Sequence, residues 1–451
     1  MSKVSGVIRG GLLVTERGFR RSDVAITDGI VTEIGDCIAD SGGETVDAEG
    51  LVVAPSFIDL HTHTRVPGGE ESETLESVEQ AAIFGGYRYL LAMPNTDPAM
   101  DSVGVLRSIT DRLEKLRVTV EQSSAITIGR AGEQLVDIYS LAEAGVRFFT
   151  DDGTGLRSPS LMREALEMSA LLGVVIAQHS QDPELSSGGS INEGTVSVRL
   201  GLGSIPESAE SVMVARDIEL LKAYGGNLHV LHVSARESVN LIRHARSEGL
   251  RITSEVAPHH LLLDDSRTGG FDPIFKVNPP LRSVATRMAL VQACISGEFD
   301  AIATDHAPHS DHAKQKPFSE AAFGMLGLQT AFSAAWTAMF NHPGWDESEL
   351  EAGLAWDQID GLEPWQLVRL HRVISLLSFG PARIVGIDAG IRVGTNANLV
   401  LVDPRSEWVP SPGDIVSRSR NLPYLGMALR GRVVGQILDG SVVLREGKLC
   451  S

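Results

Sequence analysis

The chain has 451 residues, 43% hydrophobic and 22% charged, and its 39 basic against 58 acidic residues leave a formal charge of −19. That length exceeds one minimal domain and fits a large barrel with a smaller companion. So acidic a surface repels nucleic acid and anionic membranes, so an anionic substrate requires positive charge concentrated locally.

The start, "MSKVSGVIRGGLLV", lacks the charged-then-apolar order of a secretory leader, and no stretch approaches the roughly 18 apolar residues of a membrane span. Cys37, Cys294 and Cys450 are far apart and in no CxxC pattern, which argues against a disulfide framework or zinc knuckle. A reducing, cytoplasmic setting is expected.

The first fifty or so residues alternate apolar and polar in short glycine-broken runs, the pattern of antiparallel strands and hairpins. "NANLVLVDP" and "RGRVVGQILDGSVVLREGK" return to it near the end. Residues 1–53 and 391–451 are therefore expected to build one small, discontinuous β domain.

Between them, over residues 54–390, eight apolar runs alternate with helical patterns: "APSFIDLH", "YRYLLAMPN", "SSAITIG", "VRFFTDD", "GVVIAQHS", "NLHVLHVS", "RITSEVAPHH" and "DAIATDHAPH". Helices are expected over 75–86, 158–173 and 237–249. A doubly wound open sheet would alternate in the same way. The polar residues, however, sit at the C-terminal ends of the runs, where (β/α)8 barrels carry their chemistry. The expected fold is α/β, a TIM-type (β/α)8 barrel with a small β-sandwich domain formed by both termini. Residues 180–210 form a long loop-like stretch, and 308–324 has the composition of a mobile lid. No short repeat of the solenoid kind is present.

Side chains at i and i+2 of a strand share a side, so His61 and His63 in "IDLHTHTR" can reach one metal ion. A lone His-x-His is weak evidence. Other runs, however, end in Asp151-Asp152-Gly153, His179, His232 and Asp305-His306, donors of the type that binds zinc. Taken singly, Asp152 could be a turn residue and His179 or His232 satisfied core histidines. Alternation says only that Asp151 and Asp152 face opposite ways.

The stretches "SFIDLHTHTRVPG", "LLAMPNTDP", "FFTDDGTG", "IAQHSQD", "LHVLHVSARESV", "KVNPPLRS" and "IATDHAPHS" resemble the class I dihydroorotases of the amidohydrolase superfamily, in family order across nearly the whole chain. The resemblance implies two zinc ions per subunit. His61 and His63 match ligands of one, Asp152 a bridging carboxylate, His179 and His232 ligands of the second, and Asp305 a last-strand aspartate that is both ligand and proton carrier. Arg65 and Asn95 match the groups that grip the substrate carboxylate, with His63 and His309 alongside. Asn278 and the Phe323-Gly324 backbone match contacts to the ring. The implied reaction is reversible hydrolysis and cyclisation between L-dihydroorotate and N-carbamoyl-L-aspartate in de novo pyrimidine (UMP) biosynthesis, by a metal-bridged hydroxide with Asp305 as proton shuttle.

Hydantoinases resemble this pattern but bridge their metals with a carboxylated lysine, and "VRFFTDDG" contains none. The chain departs from the resembled pattern at Val66, where glutamate is common, at Ser180-Gln181, where cysteine and glutamate are common, and in the lid. Glu255 and His259-His260 are assigned structural roles, because the ligand set is complete without them. The expected partners are a small-molecule substrate and copies of the chain itself, with aspartate transcarbamoylase open as a further one, and neither nucleic acid nor membrane. The alternatives are an allantoinase or hydantoinase, and a non-catalytic partner of aspartate transcarbamoylase, which would be expected to have lost ligands.

Overall fold

The computed structural model describes residues 3–39, 43–344 and 355–450. Eight parallel strands carry the central region: β1 (Phe57–Thr62), β2 (Tyr87–Ala92), β3 (Thr119–Gln122), β4 (Phe148–Phe149), β5 (Val175–Gln178), β6 (Leu228–Val230), β7 (Ile252–Val256) and β8 (Ala301–Ile302). β1 to β3 pair in order, as do β4 to β8. Parallel bridges Ser124↔Phe149 and Thr62↔His306 join the two sets on both sides, as an eight-stranded barrel requires. Every residue of β1 is buried, as expected of a parallel strand covered on both faces.

Local sequence sets the crossovers. The helix Leu75–Gly85 starts on Thr74, whose hydroxyl accepts from Ser77 N, and stops at Gly86 with φ 84. Gly86 is also spatially constrained, since a Cβ there would lie 2.8 Å from Val400 Cγ2 and 3.2 Å from the Phe57 ring. Pro159–Leu172 is bounded similarly by Ser158 and a left-handed Gly173. The third strand lies earlier than its sequence suggested. "SSAITIG" forms the turn after β3, with Asp151 accepting from Ile126 N and Thr127 N, and the strand itself is the alternating "TVEQ". The 180–210 stretch is also more ordered than its composition implies, containing the helix Thr195–Leu200 and a two-stranded ladder.

Both termini contribute to one mixed ten-stranded sheet. At its seam Val52–Pro55 pairs in parallel with Gly6–Thr15 and antiparallel with Leu399–Trp408, then leads almost directly into β1. Period-two alternation sorts its residues between two cores. Leu12, Val52, Val400 and Val402 join the cluster shared with the barrel, whereas Leu13, Val53, Leu399 and Leu401 pack with Ile8, Val24 and Ile437 in a separate one. Helix Ala331–Phe340, buried at every residue from Ala331 to Met339, is wedged between barrel and sheet. Its Trp336 Nε1 donates to Pro404 O at 2.9 Å.

Candidate active site

The C-terminal ends of the barrel strands converge on a cavity of about 270 Å³, small for a ligand pocket, which is typically about 300–1,000 Å³. Of the metal- and substrate-binding residues expected from the sequence, all but His61 line it. His61 lies fully buried beneath, its Nε2 3.5 Å from Asp152 Oδ1 and 3.7 Å from Asp305 Oδ1.

Hydrogen bonds fix which ring nitrogens face inward. His61 Nδ1 donates to Glu255 Oε1 at 2.9 Å, and His63 Nδ1 donates to Asn95 Oδ1 at 2.8 Å. Each Nε2 is thereby left with its lone pair toward the centre, the tautomer a metal ligand needs. His63 Nε2 lies 3.2 Å from Asp305 Oδ1 and 3.6 Å from Asp152 Oδ2. From the other side, His179 Nδ1 and His232 Nε2 approach Asp152 Oδ1 to 3.5 and 3.4 Å, and stand 2.9 Å apart. Two donor triples result, His61-His63-Asp152 and Asp152-His179-His232, each with ligand atoms within 4.8 Å of one another and sharing Asp152.

This donor set fits divalent metal. Asp152 Oδ1 and His61 Nε2 are buried without a hydrogen-bond partner among the described residues, a costly arrangement for polar atoms unless something binds between them. Two imidazoles and one carboxylate per site are the ligand type and number of an open zinc site. Burial would raise the Asp152 carboxyl, but the facing imidazoles of His61, His179 and His232 hold it well below the usual carboxylate range. Burial likewise opposes ionisation of Glu255, which hydrogen bonds from His229 and His61 nevertheless hold at about 2.

Positive charge is concentrated along one wall of the same cavity. Arg65 Nε donates to Pro308 O at 3.0 Å. Burial brings the guanidinium down to about 10, while Asp305 and Asp152 favour its charge. His309 Nε2 sits 2.6 Å from Phe323 O and so carries its proton there. Burial, then the charges of Arg65 and Lys314, push His309 down to about 3, leaving the ring neutral. Asn95, its oxygen engaged by His63, has no acceptor for its amide NH2 among the described residues. Asn278 Nδ2 lies 3.2 Å from His179 Nε2.

Several neighbours were assigned no role from the sequence. Asp59 accepts from Thr304 N and Oγ1 at 2.7 and 2.6 Å, tying β1 to β8. His306 Nε2 pairs with buried Glu73 at 3.2 Å, while its Nδ1 accepts from Gly327 N. Asn421 reaches in from the C-terminal region and donates to Ala307 O and Gly324 O. Arg130 also lines the cavity. The 308–324 segment is held down by Lys314, whose Nζ donates to Ala322 O and Gly324 O. Of the departures, Val66 is buried but does not line the cavity, and Ser180 Oγ is buried with no hydrogen-bond partner among the described residues.

A family model described as "Dihydro-orotase-like" matches residues 50–238. The dihydroorotase of Mycobacterium tuberculosis is 40% identical over 433 residues, covering 95% of this chain and 96% of that one. That of Bacillus subtilis is 36% identical over 449 residues, covering 99% and 100%. The chain belongs to the dihydroorotase family. Its fold is that of the amidohydrolase barrels: an L-hydantoinase (dihydropyrimidinase) from Arthrobacter aurescens superposes with a TM-score of 0.84 at 24% identity, covering 100% of this chain and 98% of that one. A dihydropyrimidinase from Brevibacillus agri gives 0.81 at 20% identity, covering 100% and 96%. Family membership gives the two donor triples and the cationic wall a common context, that of cyclic-amide hydrolases, enzymes that need both an electrophile-activating centre and a grip on the ring.

Proposed function

We propose that the chain is a dihydroorotase, interconverting L-dihydroorotate and N-carbamoyl-L-aspartate by hydrolysis and cyclisation of a ring amide in cytoplasmic pyrimidine biosynthesis. The observation that carries this reading is the pair of donor triples sharing Asp152, gathered in one cavity with Arg65 and Asn95. His61, His63, Asp152, His179, His232 and Asp305 would hold two divalent ions, best matched by zinc. When bound, such ions lower the pKa of water from about 15.7 toward 7 and polarise a carbonyl.

The chain's own residues supply the rest. Arg65, with its planar fork, and the Asn95 amide hold the substrate carboxylate, with neutral His309 beside them. Asn278 and the main chain of Phe323-Gly324 hold the ring. In the opening direction Asp305 accepts a proton from the attacking water and delivers it to the departing ring nitrogen. Water oxygen is thus added to the carbonyl carbon as the C–N bond breaks. Burial favours the neutral form of Asp305, but the neighbouring His63 and His61 imidazoles keep the carboxylate ionised and able to accept. In this reading residues 54–390 form the catalytic barrel, and 1–53 with 391–451 a supporting β domain.

An allantoinase or hydantoinase accounts less well for a guanidinium and an amide aimed at a carboxylate. The deciding experiment incubates purified protein with L-dihydroorotate, hydantoin and allantoin, with added zinc and after chelation. Opening of dihydroorotate alone, abolished by the chelator, is expected. A zinc-loaded protein inert toward dihydroorotate would overturn the assignment.

A further inference from the structure

We propose that Arg130 is a third donor to the substrate's carboxylate and a determinant of selectivity for carboxylated over neutral rings. This rests on the function proposed above and adds a residue to that same site. Arg130 follows β3 in a loop that needs no help from its side chain. Asp151 holds Ile126 N and Thr127 N, Gly129 N donates to Asp101 Oδ2, and Gly132 N donates to Thr127 Oγ1. The guanidinium is instead turned into the cavity, where Nη2 donates to the main-chain carbonyl of Asp152.

Three observations point to a ligand. Arg130 Nε is buried with no hydrogen-bond partner among the described residues, although a guanidinium N–H is costly to leave unpaired. At Gly153, a Cβ would lie 3.3 Å from Arg130 Nη2 and 3.8 Å from Asn95 Nδ2, so these two donors flank one small space that glycine keeps open. Backbone strain marks the same residue. Among nine described non-glycine residues with positive φ, Arg65, Arg130, His232 and Asp305 line this one cavity, with φ of 60, 57, 31 and 45. Such conformations cluster where side chains must be aimed. The other three already have roles in the proposed mechanism, and Arg130 is the one left unassigned.

Two guanidinium groups in one small cavity, with no ion pair to Arg130 among the described residues, suit a bound anion. A planar ring bearing a carboxylate provides that anion. A neutral cyclic amide does not.

The test compares the zinc-loaded full chain with Arg130→Gln and Arg130→Lys. Turnover of L-dihydroorotate is measured, together with binding of orotate and of uracil, the same type of ring with and without a carboxylate, in both zinc-loaded and chelated protein. For the Gln variant KM and the orotate Kd are expected to rise about 10- to 100-fold, the range for losing a charge-assisted hydrogen bond. The fall in kcat should be smaller than the rise in KM, the preference for orotate over uracil should collapse, and Lys should restore part of it. KM and orotate binding within twofold of the parent would overturn the inference. So would a loss confined to kcat and zinc content, which would make Arg130 only a brace for Asp152. If the Gln variant fails to fold, the Lys variant decides, since a point charge without the planar fork should still weaken orotate binding measurably. Failure of the parent chain to open dihydroorotate would instead overturn the proposed function, and the orotate-to-uracil comparison separates the two outcomes.

Discussion

Replacing Glu255 should expose how much of the metal centre is built from outside its donor set. The carboxylate is fully buried and accepts from His61 Nδ1 at 2.9 Å, His229 Nε2 at 3.1 Å and His232 N at 3.3 Å. Glu255→Met keeps much of the volume but leaves these donors unpaired. With charge-assisted hydrogen bonds contributing about 1.5–3 kcal/mol each, and the third contact weaker, the metal-free protein should lose roughly 3–5 kcal/mol of stability. The consequence for His61 is separate. Without an acceptor at Nδ1 its proton can move to Nε2, the atom that faces Asp152, so zinc affinity should fall about 10- to 100-fold. Glu255→Gln should be milder. Its amide oxygen can still accept from His61, and His229 can change tautomer to take the amide proton on Nε2 while its Nδ1 donates to Thr253 Oγ1, now 2.8 Å away. The assay is zinc retention against graded chelator, with thermal unfolding of the chelated forms measured in parallel. The expected order is Glu, then Gln, then Met. Zinc affinity within twofold of the parent in the Met variant would refute the idea that Glu255 fixes the His61 tautomer.

Three further outcomes can be checked. Asp305→Asn should retain zinc on the two triples that share Asp152 while kcat falls by about 10²–10⁴, the usual loss on removing a general acid–base; near-normal turnover, measured alongside metal content, would remove Asp305 from its proton role. Asn421→Ala removes donors to Ala307 O and Gly324 O at 2.9 and 3.1 Å and the acceptor for His309 N, so KM should rise more than kcat falls, with about 1–3 kcal/mol lost from stability; unchanged KM would separate this loop from substrate binding. Burial, against the charge and hydrogen bond of Arg216, raises Asp217 from 3.8 to about 6. The folded state therefore binds this proton more tightly than the unfolded chain. Its stabilising contribution, roughly 3 kcal/mol, is complete below about pH 3.8 and lost as pH rises through about 6. Urea unfolding from pH 4 to 7 should show Asp217→Asn gaining on the parent as pH rises, and parallel curves would contradict this.

The barrel was legible wherever strand periodicity and strand ends carried the information. A histidine pair two residues apart at the end of a buried run can place both rings on one side, and β1 does so. The helix limits at Thr74, Gly86, Ser158 and Gly173 could be read because capping is local chemistry. The third strand was misplaced because "SSAITIG" is apolar for a different reason: Ser123 to Thr127 are buried as a turn pinned by Asp151, not as a strand. Similarly, the choice between Asp151 and Asp152 lay beyond alternation. Neighbouring carboxylates must face opposite ways, but which way depends on whether Ile126 and Thr127 or the four histidines lie opposite.

What the sequence could not show was assembled from segments far apart in the chain. Asn421 reaches the barrel mouth 112 residues beyond His309, carried by a connection that leaves and rejoins the terminal sheet. No local pattern marks such an asparagine, because its partners are main-chain carbonyls rather than particular side chains. Arg130 was hidden similarly, since in "TIGRAG" a lone arginine between glycines is indistinguishable from a solvated turn residue. Only the fold shows that the same turn is anchored by Asp151, the immediate neighbour of Asp152. One aspartate therefore anchors the Arg130 turn while the next faces the histidines, so the spacing between the cationic and metal-binding walls is set by a single peptide unit. Lengthening that unit by one glycine between Asp151 and Asp152 should disrupt both walls at once, weakening orotate binding and zinc retention together; loss of one without the other would show that the two walls are positioned independently.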